Sequence, residues 1–222
     1  GDTGLGHDNI APRALARLSP EALRALAELF VAHERFGDWA EVQNLVLIVL
    51  LPKGEGGYRP IGLFPTLIRV WFRARLVTII VWDKQNEMPS VLGGSGMGAE
   101  TVAFQISFTA EATAMCNEEF GAGLLDLVKA FETVPHHVLV RIAIELGYPL
   151  VILRLCLASY RLKRTIGVEG IYSGTVVATR GITVGSGTAA TELKLLLLPL
   201  MKMLELQWAK SLVVKIYVDD LT

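Results

Sequence analysis

Three carboxylates are the residues of this chain best suited to chemistry. Asp219 and Asp220 stand side by side after an apolar, β-branched run, Ser211-Leu212-Val213-Val214-Lys215-Ile216-Tyr217-Val218, which predicts a strand. Adjacent carboxylates repel each other and resist leaving water. A fold keeps them beside such a strand where a cation sits between them or where water reaches them freely. The third, Asp126, interrupts the strand predicted over residues 124–128, on the same face as Leu124 and Val128. Buried there, it costs on the order of several kcal/mol unless a buried Arg or Lys pairs with it or a metal ion binds it. Together the three would offer hard oxygen ligands, the donor type that selects Mg²⁺. The plainer alternatives are a solvated turn for the pair and an ion pair for Asp126.

Cations and glycines come next. Lys53 and Arg59 flank the glycine turn Gly54-Glu55-Gly56-Gly57 between two strand-like segments. A hairpin holding them could grip a triphosphate, the guanidinium through paired hydrogen bonds and the ammonium as a point charge; an ordinary solvated hairpin fits the same residues. Arg69 and Arg73 share a helix face at i, i+4, with Arg75 beside them, a stripe that suits a nucleic-acid backbone or plain solvation equally. Arg161, Lys163 and Arg164 form a second basic group. In Arg180-Gly181-Ile182-Thr183-Val184-Gly185-Ser186-Gly187-Thr188 the spaced glycines let backbone approach a flat ligand closely. The glycine-rich start, Gly1 to Asp8 in sequence, matches neither the P-loop nor the dinucleotide fingerprint. His136 and His137 are adjacent on a predicted helix, point about 100° apart and form no chelate.

The elements that must position these residues follow from period and punctuation. Ser19-Pro20-Glu21 supplies an N-cap, a first-turn proline and an acid for an amphipathic helix to about residue 33, ending before Gly37. A strand is predicted over 42–51, then the hairpin, then helices over 65–82 and 100–117 separated by a glycine-rich break at 93–98. After the Asp126 strand come helices over 135–147 and 152–163, a hairpin joining 166–168 to 175–178, and a long apolar helix over 189–208. In 222 residues with 52% hydrophobic content and a mean hydropathy of +0.45, a sizeable core is expected. The longest apolar runs, 45–51 and 195–200, fall well short of the roughly 18 to 20 residues of a membrane span. No secretory pattern opens the chain, and Cys116 and Cys156 suggest neither a disulfide scaffold nor a zinc site, so an intracellular protein is expected. A formal net charge of −1 is low for a nucleic-acid binder, whose affinity comes largely from neutralising phosphates.

Four stretches, in order, resemble the reverse transcriptases of non-LTR retrotransposons and group II introns. Leu51-Pro52-Lys53 with Tyr58-Arg59-Pro60-Ile61 is similar to their fingers hairpin, Asp126-Leu127-Val128-Lys129-Ala130-Phe131-Glu132 to their first palm motif, Gly181 to Ser186 in sequence to their Gly-x-Pro-Gln-Gly-Ser motif, and Tyr217-Val218-Asp219-Asp220 to their Tyr-x-Asp-Asp signature. The resemblance implies an α/β (α+β) fold, the fingers (1–122, with the start of the palm) and palm (123–222) of a right-hand polymerase as one continuous unit. It also implies a chain truncated at its C-terminal side, lacking the thumb and the strand that would complete the terminal hairpin. The implied reaction is RNA-directed DNA synthesis, nucleotidyl transfer from dNTPs to a primer 3′-hydroxyl by two Mg²⁺ ions, with Mn²⁺ as a substitute. RNA template, DNA primer and dNTPs would be the partners, and no membrane.

By resemblance Asp126, Asp219 and Asp220 are the catalytic metal ligands, and Lys53, Arg59, Phe131, Gly185 and Tyr217 face the dNTP. Phe131 falls where the family places the aromatic side chain that excludes a ribose 2′-hydroxyl. Glu132 stands where the family has Asp, and Thr183-Val184 replaces Pro-Gln beside the nucleotide. That second departure, with the near-neutral charge, favours the rival expectation of a catalytically silent or decayed domain of the same fold that at most binds RNA. A small-molecule α/β enzyme using the paired aspartates is a third reading, without a cofactor fingerprint to support it.

Overall fold

The structure, a computed structural model, describes residues 4–54, 56–91, 99–123, 125–208, 214–217 and 220–221. The glycine-rich break at 93–98, Asp219 and the first residues of the terminal apolar run lie outside them.

Sequence punctuation sets the first elements. A short helix, α1 (Pro12–Leu15), precedes α2 (Pro20–Phe36), where Ser19 accepts a hydrogen bond from the Ala22 amide and Gly37 closes the last turn. The strand expected from residue 42 begins later, because Glu41–Gln43 forms a 3₁₀ turn; β1 is Leu45–Pro52 and pairs antiparallel with β2 (Tyr58–Leu63). The apolar alternation of β1 buries Val46 and Ile48.

Helix α3 (Thr66–Gln85) follows, with Ile68, Trp71, Phe72, Ile79 and Trp82 in the core. Its start is unusual. Pro65 at the N-cap offers no side-chain cap, and the Asp8 carboxylate accepts from the Thr66 amide at 2.6 Å in its place. A bond from the Arg69 guanidinium to the Gly4 carbonyl holds the same N-terminal segment against α3. Helix α4 (Ala99–Met115) follows, with Val102 its one buried residue among those described.

The second half supplies β3 (Leu125–Asp126), α5 (Ala130–Thr133), α6 (His136–Glu145), α7 (Leu150–Tyr160), β4 (Lys163–Val168), β5 (Ile171–Tyr172), β6 (Val176–Val177), α8 (Ala189–Trp208), β7 (Ile216–Tyr217) and β8 (Asp220–Leu221). Strand β4 pairs in parallel with β1 and carries β5 and β6 on its other side, so one mixed sheet draws strands from both halves. A second sheet has the order β3-β8-β7. Helices α6, α7 and α8 pack together and bury Leu139, Leu155, Leu195 and Leu198 completely. Aromatic rings tie α3 to this layer: Trp39 meets Trp71 edge-on at 5.4 Å and donates to Ser159 at 2.8 Å, and Trp82 meets Tyr148 edge-on at 4.9 Å. No helix among the described residues is long and apolar enough to cross a membrane.

Three sequence expectations change. Of the buried strand expected over 124–128, the described residues form β3 at Leu125–Asp126, with Leu125 61% and Val128 77% exposed, and the chain turns at Val128-Lys129. The helix expected to reach residue 163 stops at Tyr160, since Lys163 is already paired with Leu45 of β1. The terminal hairpin is expected to lack its second strand, yet Asp220–Leu221 forms β8, which pairs antiparallel with both β7 and β3.

Candidate active site

The carboxylate-bearing strands come together in register. Asp126 of β3 sits directly across from Asp220 of β8, and Asp220 sits across from Tyr217 of β7. Residues opposed in this way in an antiparallel ladder have Cα atoms about 4.5–5.5 Å apart. Asp219 belongs to the two residues that connect β7 and β8. Backbone alone is described for Asp126 and Asp220. Among the described residues no cluster of three or more His, Cys, Asp or Glu side chains is placed to hold a metal ion.

The position of this ladder follows from its neighbours. The Ile216 amide donates to the Ser90 carbonyl at 2.7 Å, and Ile216 makes a parallel bridge to Val91. Lys215 donates to the Pro89 carbonyl at 2.8 Å. Lys215 and buried Ile216 therefore fasten β7 to the segment that leaves α3.

From Asp126 the chain runs in a few residues to α5, entered through Lys129 in a left-handed conformation (φ 52°). Here the second motif meets the third. The Ile182 amide donates to the Phe131 carbonyl at 2.7 Å, the Gly181 amide to the Val134 carbonyl at 2.8 Å, and His136 Nε2 to the Gly181 carbonyl at 2.8 Å. Because a carbonyl is the acceptor, Nε2 carries the proton. Burial holds the His136 pKa below its ordinary value, the Gly181 bond opposes this, and Arg161 and Arg164 depress it further. The close approach excludes any side chain at Gly181, where a Cβ would lie 2.6 Å from the Glu132 carbonyl.

The third motif meets the first in the same manner. The Gly62 amide of β2 donates to the Val184 carbonyl at 2.7 Å, and a Cβ on Gly185, which has φ +109°, would run into the Gly62 carbonyl. Strand β2 with Arg59, the 184–188 turn with Gly185 and α5 with Phe131 are therefore one connected assembly. Phe131 is half-buried against the core, while Lys53 and Arg59 are exposed at the turn end of the hairpin. The turn there closes through the Lys53 amide on the Gly57 carbonyl at 3.0 Å. Among the described residues no hydrogen bond or strand pairing joins Lys53 or Arg59 to the Asp126–Asp220 ladder.

Sequence reasoning missed two features. Thr183, in the place of the family's proline, is buried and accepts from Arg164 Nη2 at 2.7 Å; the same nitrogen donates to the Tyr160 carbonyl at 2.8 Å. Arg164 is thus an internal strut, its pKa lowered by burial, and Lys163 pairs with Glu41. Similarly, Arg75 is bound to Glu34, at 2.5 and 2.9 Å. Of the α3 stripe, Arg69 and Arg73 remain at a cleft of about 710 Å³ between the N-terminal segment, α3 and the 184–188 turn, lined by Arg13, Arg69, Phe72, Arg73, Gly185 and Gly187 among others. The pairing of Arg75 with Glu34 joins residues far apart in sequence, and no local pattern announces it.

No family profile matches the chain. Over 156 residues it is 27% identical to a retrovirus-related Pol polyprotein from type-1 retrotransposable element R2 of Bradysia coprophila, covering 67% of this chain and 17% of that protein. Two telomerase structures share its fold. That of apo telomerase from Candida tropicalis, truncated from its C-terminal domain, superposes with a TM-score of 0.55 at 13% identity over 90% of this chain and 48% of the other. Telomerase from Candida albicans, in complex with a TWJ fragment of telomeric RNA, gives 0.56 at 13% over 92% and 42%. The chain spans under half the length of these telomerase chains and about a sixth of the polyprotein. The fold is that of a right-hand polymerase, and the sequence is similar to that of a retrotransposon Pol polyprotein.

Proposed function

We propose that this reverse-transcriptase-like domain forms the fingers (1–122) and palm (123–222) of an RNA-directed DNA polymerase. The observation that carries the proposal is the register that opposes Asp126 of β3 to Asp220 of β8. Carboxylates are the donors that hard divalent cations take, and in this reading Asp126, Asp219 and Asp220 would hold two Mg²⁺ ions. When bound, such a pair activates a 3′-hydroxyl and stabilises the leaving diphosphate.

The chain's own groups supply the rest. Lys53 and Arg59, exposed at the tip of β1–β2, would take the triphosphate. Phe131, whose carbonyl is held by the Ile182 amide, and Gly185, beside the Gly62–Val184 bond, would set the sugar and base-pair faces of the nucleotide site, with Tyr217 opposite Asp220. The cleft with Arg13, Arg69 and Arg73 offers a path for template phosphates, since a guanidinium neutralises a phosphate wherever a strand tracks it.

A silent RNA-binding domain is the second reading, favoured by Thr183-Val184 in place of Pro-Gln and by the net charge of −1. The two part in a primer-extension assay on an RNA template with Mg²⁺, using the full-length protein. The polymerase reading expects dNTP incorporation that Asp219→Ala and Asp126→Ala abolish. Incorporation by neither wild type nor variants, with RNA still bound, selects the silent domain.

A further inference from the structure

Helix α8 reads in sequence as an apolar rod, yet its first turn holds a carboxyl with no solvent exposure at all, Glu192. Among the described residues no cation reaches it. Lys194, two residues on, is committed to Asp83 of α3 at 2.6 Å. From α7 it faces Tyr160 and Cys156; Tyr148 lies nearby at the entry to α7, His136 of α6 has its ring 6.3 Å from that of Tyr160, and Arg164 of β4 bonds the Tyr160 carbonyl. Desolvation pushes the Glu192 pKa up to about 7.

The partners of Glu192 make a ring. Tyr160 donates to Oε2 at 2.6 Å, Tyr160 and Ser186 are 2.9 Å apart, Ser186 and Thr188 are 3.0 Å apart, and Thr188 lies 2.9 Å from Oε1. Each hydroxyl has one proton to give. With Glu192 neutral, every member donates to the next: Glu192 to Thr188, Thr188 to Ser186, Ser186 to Tyr160, Tyr160 to Glu192. With Glu192 ionised, Tyr160 and Thr188 both give their protons to the carboxylate, and the single Ser186 proton serves one of its two links, to Tyr160 or to Thr188, so the ring opens at Ser186. Ser186 sits between Gly185 and Gly187, which line the arginine cleft.

We propose that Glu192 is a positioning residue which, through the Tyr160–Ser186–Thr188 ring, holds the 184–188 turn in the conformation that receives the nucleotide. The placing of a nucleotide beside that turn rests on the polymerase reading; the holding of the turn does not. Glu192 touches no substrate. Its effect on the turn is strongest when the ring is closed and weakens as the carboxyl ionises.

The test is amide exchange at Ser186 and Thr188, expressed as protection factors, in the full-length protein between about pH 6 and about pH 8.5. Wild type is expected to lose protection about tenfold as pH rises, the worth of about one hydrogen bond. Glu192→Gln, whose amide can donate to Thr188 while its oxygen accepts from Tyr160, is expected to stay protected throughout; Tyr160→Phe, which opens the ring while keeping the core shape, is expected to be unprotected throughout. Protection in wild type that does not change with pH, or in Tyr160→Phe that equals wild type, overturns the proposal. In primer extension, the KM for dNTP should rise with pH in wild type relative to Glu192→Gln, with kcat moving in parallel in both. A protein with no incorporation but the expected exchange pattern refutes the polymerase reading and leaves the positioning role standing; incorporation with an identical KM profile in wild type and Glu192→Gln overturns the role in substrate binding.

Discussion

Gly62 and Gly185 meet backbone to backbone: the Gly62 amide bonds the Val184 carbonyl at 2.7 Å, and Gly185, at φ +109°, leaves no room for a Cβ against the Gly62 carbonyl. Two motifs more than a hundred residues apart in the chain thereby share one wall, and substituting either glycine pushes the hairpin from the turn.

Gly185→Ala should therefore destabilise the fold by about 2–4 kcal/mol, from a strained positive φ combined with a backbone clash. Urea denaturation reads this as a lower midpoint at unchanged slope. Ala at Gly54, where nothing lies within 4 Å, is the control, expected to change stability by under about 0.5 kcal/mol. Equal midpoints for the two variants would contradict the shared wall.

Glu34 accepts from Trp71 Nε1 at 2.8 Å and from both ends of the Arg75 guanidinium. Glu34→Ala leaves a buried indole N–H and a half-buried guanidinium without their acceptor. A loss of about 2–3 kcal/mol is expected, after allowing for the 31% exposure of the Arg75 side chain. Arg75→Met should cost a similar amount, because it leaves the Glu34 carboxylate, 13% exposed, without its cation and with Trp71 Nε1 as a remaining donor. Thermal unfolding of the two variants compares the losses.

Stability should depend on pH through Glu192. Its carboxyl titrates near the ordinary 4.5 when unfolded and at about 7 when folded, because burial penalises the charge. Between these values the folded state binds the extra proton, so stability is full below about pH 4.5, falls as pH rises, and levels off above about 7. The gap amounts to about 3 kcal/mol. Glu192→Gln should remove this slope, leaving a wild-type-minus-variant difference that grows over that window and stays constant above it. Chemical denaturation at a series of pH values measures it, and a constant difference would sink the assignment.

Arg13 and Arg73 flank the cleft between the N-terminal segment and α3. If template phosphates run there, Arg13→Ala and Arg73→Ala should each weaken binding of a single-stranded RNA whatever its sequence, and each should reduce the slope of log affinity against log salt by about 0.7. Anisotropy titrations at several salt concentrations give the slope. Arg164→Ala should lower stability and leave the slope alone, since Arg164 is spent on Thr183 and the Tyr160 carbonyl.

What could be read from the sequence was local. Ser19-Pro20-Glu21 starts α2 and Gly37 ends it, and the Pro52 to Tyr58 pairing closes the hairpin around its glycines, because caps and turns are decided by neighbouring residues. The helical patterns after Pro135 and before Trp208 likewise became α6 and α8. Chemistry and family resemblance mark Asp126 as the companion of Asp219 and Asp220; the sheet register sets the backbones of Asp126 and Asp220 opposite, and Asp219 lies outside the described residues.

What was not legible joins distant segments. Asp8 caps a helix that begins at Thr66, Thr183 binds Arg164, and Glu192 hides inside a helix whose composition suggests only packing. Hydrophobic period reports which side of a helix is buried, and says nothing of which polar atom waits there.

The parallel pairing of β1 with β4 has a consequence for the order of events during synthesis. Strand β1 has β2 beside it from the start, but its other edge, from Leu45 to Val49, stays open until β4 has been made. Through that interval the nascent protein carries a long apolar strand with bare amides and carbonyls on one side, the kind of surface that recruits foreign strands. Closure comes late and over a long loop, which makes it slow. Chaperone occupancy on the ribosome should therefore begin once the hairpin emerges and end when residues near 168 leave the exit tunnel.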